Sequence, residues 1–298
     1  MKKILTFLLL FSLSLSFLYS QGCSDAGVCS LDYEESENNY KISLTQSFGL
    51  SDEVAILTST LKGKFKIYDT YLTAHIPFVH ARNRRHYANG IGDILLSLGI
   101  PFQDFILNAG TKIATNNADN TYSNTTLPMA FQSSQATNDL LFTLNYKYEN
   151  YKFTIGYQHV LSSNVKNHHI IKNTNDSALY STYNLKRGND IMLSAISKIE
   201  YGDFSYTYGT NLIYRLSETS SDLPPDYKIM TVNDTLQNGA KVNGSDGLTM
   251  NLLGSMHNEL TDYSELILDV GFPIIYRKNI IDGLKRNFQL NITFAYSF

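Results

Sequence analysis

Asn287-Phe288-Gln289-Leu290-Asn291-Ile292-Thr293-Phe294-Ala295-Tyr296-Ser297-Phe298 closes the chain with a period of two. Successive side chains of a strand point to opposite faces. Phe288, Leu290, Ile292, Phe294, Tyr296 and Phe298 therefore form one wholly apolar face, and Asn287, Gln289, Asn291, Thr293, Ala295 and Ser297 a small or polar one. A strand of this kind needs hydrocarbon on one side and a hydrophilic space on the other. Strands of soluble sandwiches average only about five or six residues, so length as well as alternation sets this one apart.

The same pattern runs back through the chain. It predicts strands over 263–274 and 249–259, then Phe204–Leu216, Ile191–Tyr201, Phe153–Leu161, Leu140–Tyr148, Phe105–Ile113, Ile94–Phe102 and Tyr68–Phe78, and more weakly Val54–Lys62 and Tyr40–Phe48. That makes about twelve strands. The joins alternate in length. Long ones lie at 49–53, 80–89, 116–137, 164–188, 217–245 and 277–285; tight turns are expected around Gly63, Gln103-Asp104, Glu149-Asn150, Gly202-Asp203 and 260–262. A soluble sandwich has no reason to keep its long loops on one edge, whereas a bacterial outer-membrane barrel has short periplasmic turns and long outer loops. In hydrocarbon every unpaired backbone N–H or C=O costs several kcal/mol, so strands cross a membrane only as a closed barrel. The predicted fold is all-β, a transmembrane antiparallel up-and-down β-barrel, located in the cell outer membrane. Tyr40, Phe48, Phe78, Tyr148, Tyr201, Tyr214, Phe272 and Phe298 stand near strand ends as interfacial girdles.

Composition agrees with a folded, exported protein. Of 298 residues 43% are hydrophobic and 17% charged, with 21 Tyr, 16 Phe and no Trp, which excludes a disordered chain. The formal charge of −3 leaves no basis for a nucleic-acid partner. Lys2 and Lys3 precede an apolar run ending near Leu18, and Ser20 suits cleavage before Gln21, so 1–20 reads as a signal peptide. Gly22-Cys23 leaves a lipidated Cys23 as the rival, although Ser20 stands where a lipoprotein signal carries an aliphatic residue. Cys23 and Cys29 are the only cysteines and read as a small disulfide loop. Residues 21–39 form a periplasmic or plug segment, and 40–298 the barrel.

Phe298, with Tyr296 and Phe294 at alternate positions behind it, resembles the terminal segment read by barrel-assembly machinery. Ile76-Pro77-Phe78-Val79 followed by Asn89-Gly90-Ile91-Gly92-Asp93, then Gly110–Thr115, then Gly271-Phe272-Pro273 with Asp282-Gly283-Leu284, resemble the meta-pathway phenol-degradation family of outer-membrane barrels, akin to long-chain fatty-acid transporter barrels. The chain departs from that family at Gly110–Thr115, where a Leu-Pro-Thr-Gly ending is usual. The resemblance implies a barrel that passes small hydrophobic or amphipathic solutes.

With polar residues inward, the candidate lumen lining is Lys41, Asp69, His75, Asp93, Asn108, Lys112, Asn145, Lys147, Lys152, Gln158, Asp190, Lys198, Glu200, Arg215, Asn251, His257, Glu259, Glu265 and Asp269. Acids and bases nearly balance, which fits cross-strand bracing and argues against a single-sign filter. Gly90-Ile91-Gly92-Asp93 reads as turn chemistry, since no helix follows it as a dinucleotide fingerprint would require. No cofactor or metal is expected: the histidines lack paired ligand spacing. His159 with Ser162 and Ser163 lacks a third member for a hydrolase. The basic loop Arg82-Asn83-Arg84-Arg85-His86 is either a solvated loop or one that meets lipopolysaccharide phosphates, and 217–245, with Pro224-Pro225, is expected to be mobile or to fold inward as a partial constriction. Two functions follow: a channel for an unknown small-molecule solute, or a structural or adhesive outer-membrane barrel with a plugged lumen.

Overall fold

The computed structural model describes residues 40–51, 54–161, 167–169, 182–202, 204–222, 240–283 and 286–298. The signal and the segment 21–39, with Cys23 and Cys29, lie outside them, as do Ser162, Ser163 and Pro224-Pro225.

Twelve spanning strands follow one another: β1 (Tyr40–Leu50), β2 (Ala55–Ile67), β3 (Thr70–Arg82), β4 in two pieces (Tyr87–Ile91 and Ile94–Phe102), β5 (Phe105–Ile113), β6 (Asp139–Tyr148), β7 (Tyr151–Val160), β8 (Asp190–Tyr201), β9 (Phe204–Arg215), β10 (Gly247–Thr261), β11 (Ser264–Ile275) and β12 (Phe288–Ser297). Each pairs antiparallel with its neighbour, and both pieces of β4 pair with β3. The ring closes where β12 pairs with β1, from Lys41 opposite Ser297 to Leu50 opposite Phe288. The Phe298 N–H donates to the Tyr40 carbonyl at 2.9 Å, and the two rings stack 5.6 Å apart. Among the described residues the spanning ring has no open edge, and only the short outer piece Tyr87–Ile91 pairs on one side alone.

The alternation decides which way each side chain faces. Ile42, Leu44, Phe294 and Tyr296 look outward and are exposed, while Ser43, Thr45, Thr293 and Ala295 between them are buried inside. Thr45 and Thr293 share a hydrogen bond of 2.8 Å across the closing seam. A polar residue breaks the outward rule at Gln46, whose side-chain oxygen accepts from Ser59 Oγ at 2.9 Å, so the carbonyl is satisfied within the wall.

One turn differs from the expectation. Gly63 lies inside β2 opposite Ile42 and Ala74, and the chain reverses at Tyr68-Asp69 instead. The alternation continues through Lys64, Phe65, Lys66 and Ile67, and tertiary pairing outweighs the local preference of a glycine. Tyr68, Gln103 and Glu149 each open a two-residue turn with φ of 55°, 53° and 52°, the sign that suits tight hairpins. Asp69, expected in the lumen, is therefore exposed on a turn at the rim.

Leu44 sits halfway along β1 and faces lipid, so Leu44→Arg is expected to destabilise the folded barrel by about 2–4 kcal/mol. Reversible urea unfolding in lipid vesicles measures this, with inward Thr45→Ser as the near-neutral control.

Candidate functional site

Where the strands meet the long loops, four carboxylates and four cations are drawn together inside the cylinder. Arg215 on β9 holds Asp190 on β8 with a two-pronged contact, Nε to Oδ1 at 2.8 Å and Nη2 to Oδ2 at 3.0 Å, and gives Nη1 to Asp282 at 2.5 Å. Arg187 donates to Asp190 at 2.8 Å and to Gln135 Oε1 at 2.8 Å. Its Nε lies 2.9 Å from Asp282, but with no hydrogen bond formed there the contact is one of charge. Lys112 reaches Asp139 at 2.6 Å and Asp93 at 3.8 Å, and Gln158 donates to Asp139. Arg277 lies 3.9 Å from Asp282 and donates to the Ser245 carbonyl at 2.8 Å. Arg215 is only 2% exposed and Asp139 not at all. Burial alone would raise the Asp282 carboxyl, but the guanidinium groups of Arg215, Arg277 and Arg187 hold it well below the usual carboxylate range. Charges this deep add little net stability; removing one partner leaves its neighbours uncompensated.

The network fastens loops to the wall. Gln135 and Thr137 on the β5–β6 connection bond Lys112, and Asp93, at the break in β4, accepts from Ser134 Oγ and from the Gln135 N–H at 3.0 Å. The approach is close enough that a Cβ on Gly90 would stand 2.7 Å from Ser133 Oγ, and one on Gly92 2.9 Å from Pro77. The Gly-Ile-Gly-Asp segment is thus a seat for a loop as well as a turn. Further along the connection a short 3-10 turn, Met129–Phe131, drives Phe131 against Val54, Ile56, Ala81 and Leu127. Asn167 on the β7–β8 connection donates to the carbonyls of Ala118 at 2.8 Å and Leu127 at 3.0 Å. Leu185 and Ile281, from two other loops, join Ala118, Met129 and Ala136 in a second apolar cluster. Burial lowers the pKa of His169, which bonds the Thr126 carbonyl at 2.8 Å. Loop 217–245, expected to be mobile or a partial constriction, lies mostly outside the described residues; its described ends, with Thr219 and Ser245 buried, join the loops after β5, β7 and β11 around the network.

One inward step toward the turns, the lining changes character. Leu95, Leu141 and Met192 stand two residues beyond Asp93, Asp139 and Asp190, and they pack together with Ile213 against them. Another step brings amides and hydroxyls: Asn108 donates to Thr143 at 2.9 Å, and Thr154 to Asn145 at 2.6 Å. Asn251 on β10 is fully buried, yet neither atom of its amide has a partner. At the turn-side mouth Lys41 is bridged to Glu265, Lys198 pairs with Glu200 at 2.8 Å, and Ser255 donates to Asp269 at 2.6 Å.

The sequence candidates thus fall into two groups. Lys112 and Arg215 are buried in the ion-pair network, with Asp190 and Gln158; Lys41, His75, His257, Glu265 and Asp269 occupy inward positions nearer the turns. Lys147, Lys198, Glu200 and Glu259 share the inward register but are exposed at the mouth. Arg187, Asp282 and Arg277 were missed because they sit on loops, beyond the reach of a period-two reading. Lys64 and Lys66 on the inward face of β2 were missed because the turn was expected at Gly63, and Lys62, the last residue of the strand expected there, because the alternation of that segment is weak. His159 is outward and exposed beside Tyr157, at 6.2 Å between ring centroids. Among the described residues, no group of three or more His, Cys, Asp or Glu could hold a metal ion.

No family model and no curated protein matches the chain. Among solved structures it is similar to an outer membrane channel from Pseudomonas putida F1, at 14% identity and a TM-score of 0.61, covering 90% of this chain and 98% of that one. Looser likenesses are to the NanC porin, at 10% identity, TM-score 0.45 and 86% and 98% coverage, and to the translocator domain of the autotransporter NalP from Neisseria meningitidis, at 8% identity, TM-score 0.46 and 95% and 100% coverage. What the Pseudomonas putida channel shares with the chain is the fold, a closed antiparallel outer-membrane β-barrel.

Asp282→Asn leaves Arg215, Arg187 and Arg277 short of a countercharge, so the loops are expected to loosen while the wall persists. Proteolysis of the outer loops should quicken, with the heat-modifiable gel mobility of the barrel unchanged. The same contact carries a pH dependence. Because folding lowers the pKa of Asp282, its stabilisation is complete above the unfolded value of about 3.9 and drains away as pH falls below it. Loop proteolysis followed from pH 6 down to pH 3 with an acid-tolerant protease is expected to accelerate only below about pH 4.

Proposed function

We propose that this barrel is an outer-membrane channel for a small amphipathic solute, held shut on the loop side by the buried ion-pair network. The observation that carries the reading is a matter of filling. Barrels of about eight strands are just filled by their own side chains, and those of about sixteen or more leave an aqueous pore. Twelve strands leave a lumen between these sizes. Here its loop end is filled by loops, through salt bridges that can part, while the turn end keeps partly exposed side chains such as Lys62, His75, His257 and Lys147. A barrel serving only as a scaffold has no need for a stopper built from separate loops. The apolar step of Leu95, Leu141, Met192 and Ile213 gives a greasy body a surface to slide on. The unsatisfied amide of Asn251 is a group that water or solute completes once the closed state relaxes.

The motif likeness to the meta-pathway phenol-degradation barrels supports the same class of cargo, by analogy of fold. Residues 1–20 serve as the export signal in this reading, and Phe298, Tyr296 and Phe294 as the segment handed to the assembly machinery. At the outer rim Arg84 and Arg85 are exposed, with their turn held by Asn83 Oδ1, which accepts from the N–H groups of Arg85 at 2.8 Å and His86 at 2.6 Å. In this reading they are the residues that meet lipopolysaccharide phosphate.

Planar-bilayer recording on the mature chain tests the channel. Small, discrete conductance steps are expected, with Asp282→Asn raising the open fraction. Folded protein that carries no current in either form would leave the structural, plugged barrel as the better account.

A further inference from the structure

One step turnward of Met192 and Ile213, a line of paired residues across five strands is polar and uncharged. Asn145 on β6 stands opposite Thr154 on β7, Thr154 opposite Ser194 on β8, Ser194 opposite Asn211 on β9, and Asn211 opposite Asn251 on β10. Neighbouring strands lie about 5 Å apart, so the row runs about 20 Å around the inner wall. Ile106 on β5 and Pro273 on β11 end it with side chains that cannot hydrogen-bond.

The row holds amide atoms that nothing satisfies. Asn251 is 0% exposed, and neither its Nδ2 nor its Oδ1 has a hydrogen-bond partner. Asn145, 3% exposed, accepts from Thr154 Oγ1 at 2.6 Å through its oxygen, and its Nδ2 is left without a partner. An orphaned buried amide is worse for stability than an apolar side chain of like shape. These strands carry such side chains at other inward positions, Leu141 on β6 and Leu253 on β10. Packing alone therefore does not account for the two asparagines.

Charge is absent from the band as well. The row one step loopward, from Thr143 through Gly156, Met192 and Ile213 to Thr249, has no ionisable side chain either. Beyond it Asp139, Asp190 and Arg215 are committed to ion pairs, and Lys147 and Lys152 lie on the turn side. An ion crossing the band gives up water with no countercharge beside it. A neutral solute trades its water for amides, which both donate and accept, and lays an apolar part against Met192 and Ile213.

We propose that this amide row is where the barrel recognises its solute, and that the solute is uncharged, with hydroxyl or carboxamide groups beside a short apolar part. The assignment rests on the channel reading and narrows its cargo.

Butyl glucoside and butyl glucuronide differ by one carboxylate and serve as probes on the full mature chain. In detergent, the temperature at which heat-modifiable mobility is lost should rise with the glucoside and not with the glucuronide. Asn145→Leu/Asn251→Leu removes the orphaned atoms, so it should melt no lower than the parent and lose the response to the glucoside. Asn251→Ala, which needs no extra room, should lose that response as well. In proteoliposomes the parent should take up the glucoside faster than the glucuronide, and the double variant should take it up about tenfold more slowly, the factor that one or two lost hydrogen bonds give. A double variant that melts below the parent or does not fold makes the amides structural and overturns the inference. So does an equal response to the two probes, or a variant that answers to the glucoside as the parent does. If folded parent takes up neither probe, the channel reading falls and melting decides alone: a shift with the glucoside keeps the row as a binding site, and no shift removes it.

Discussion

Hydrocarbon offers no hydrogen bonds, and everything in this molecule answers to that fact. An unpaired peptide group in the bilayer core costs several kcal/mol. The sheet therefore returns on itself, with Lys41–Leu50 laid against 288–297. Closure then divides every strand into a face that meets lipid and a face that meets its fellows. The unbroken oily rows are a consequence, and so is the concentration of charge inside: the polar residues of the wall have nowhere else to be solvated.

Once charge is confined to a narrow interior it must be organised. The chain does this in two different ways at its two ends. Near the loops, acids and bases meet one to one, Arg215 between Asp190 and Asp282, Lys112 against Asp139, with exposure close to nothing. Near the turns, lysines of β2 are stacked with their own kind and partly open. The first arrangement rigidifies and excludes. The second leaves a partly open polar lining. A barrel with these ends is directional, even though its wall is regular.

The wall was legible in the sequence because its signal is periodic and purely local. Each strand announces itself through alternation, and the contrast of tight turns with long joins orients the whole. What escaped was non-local. Gly63 looked like a hairpin because glycine favours turns, yet pairing with β1 and β3 carries the strand four residues further, to Ile67. That misplacement hid Lys64 and Lys66 on the inward face of β2. Arg187 and Asp282 were invisible for another reason: they belong to loops, where no period exists, and acquire meaning only when the fold brings them within 3 Å of each other. Asp93 illustrates the middle case. Its turn chemistry could be read from Gly90-Ile91-Gly92-Asp93, but its hold on Ser134 and Gln135 could not.

The ion-pair network draws its members from distant parts of the chain, from Asp93 at the break in β4 to Asp282 between β11 and β12. No partial cylinder contains them all. Strands added one after another leave an unstoppered trough until the final hairpin arrives with Asp282, so sealing and completion of the wall coincide. The loop-side network is thus a property of the completed ring and of no shorter run of strands.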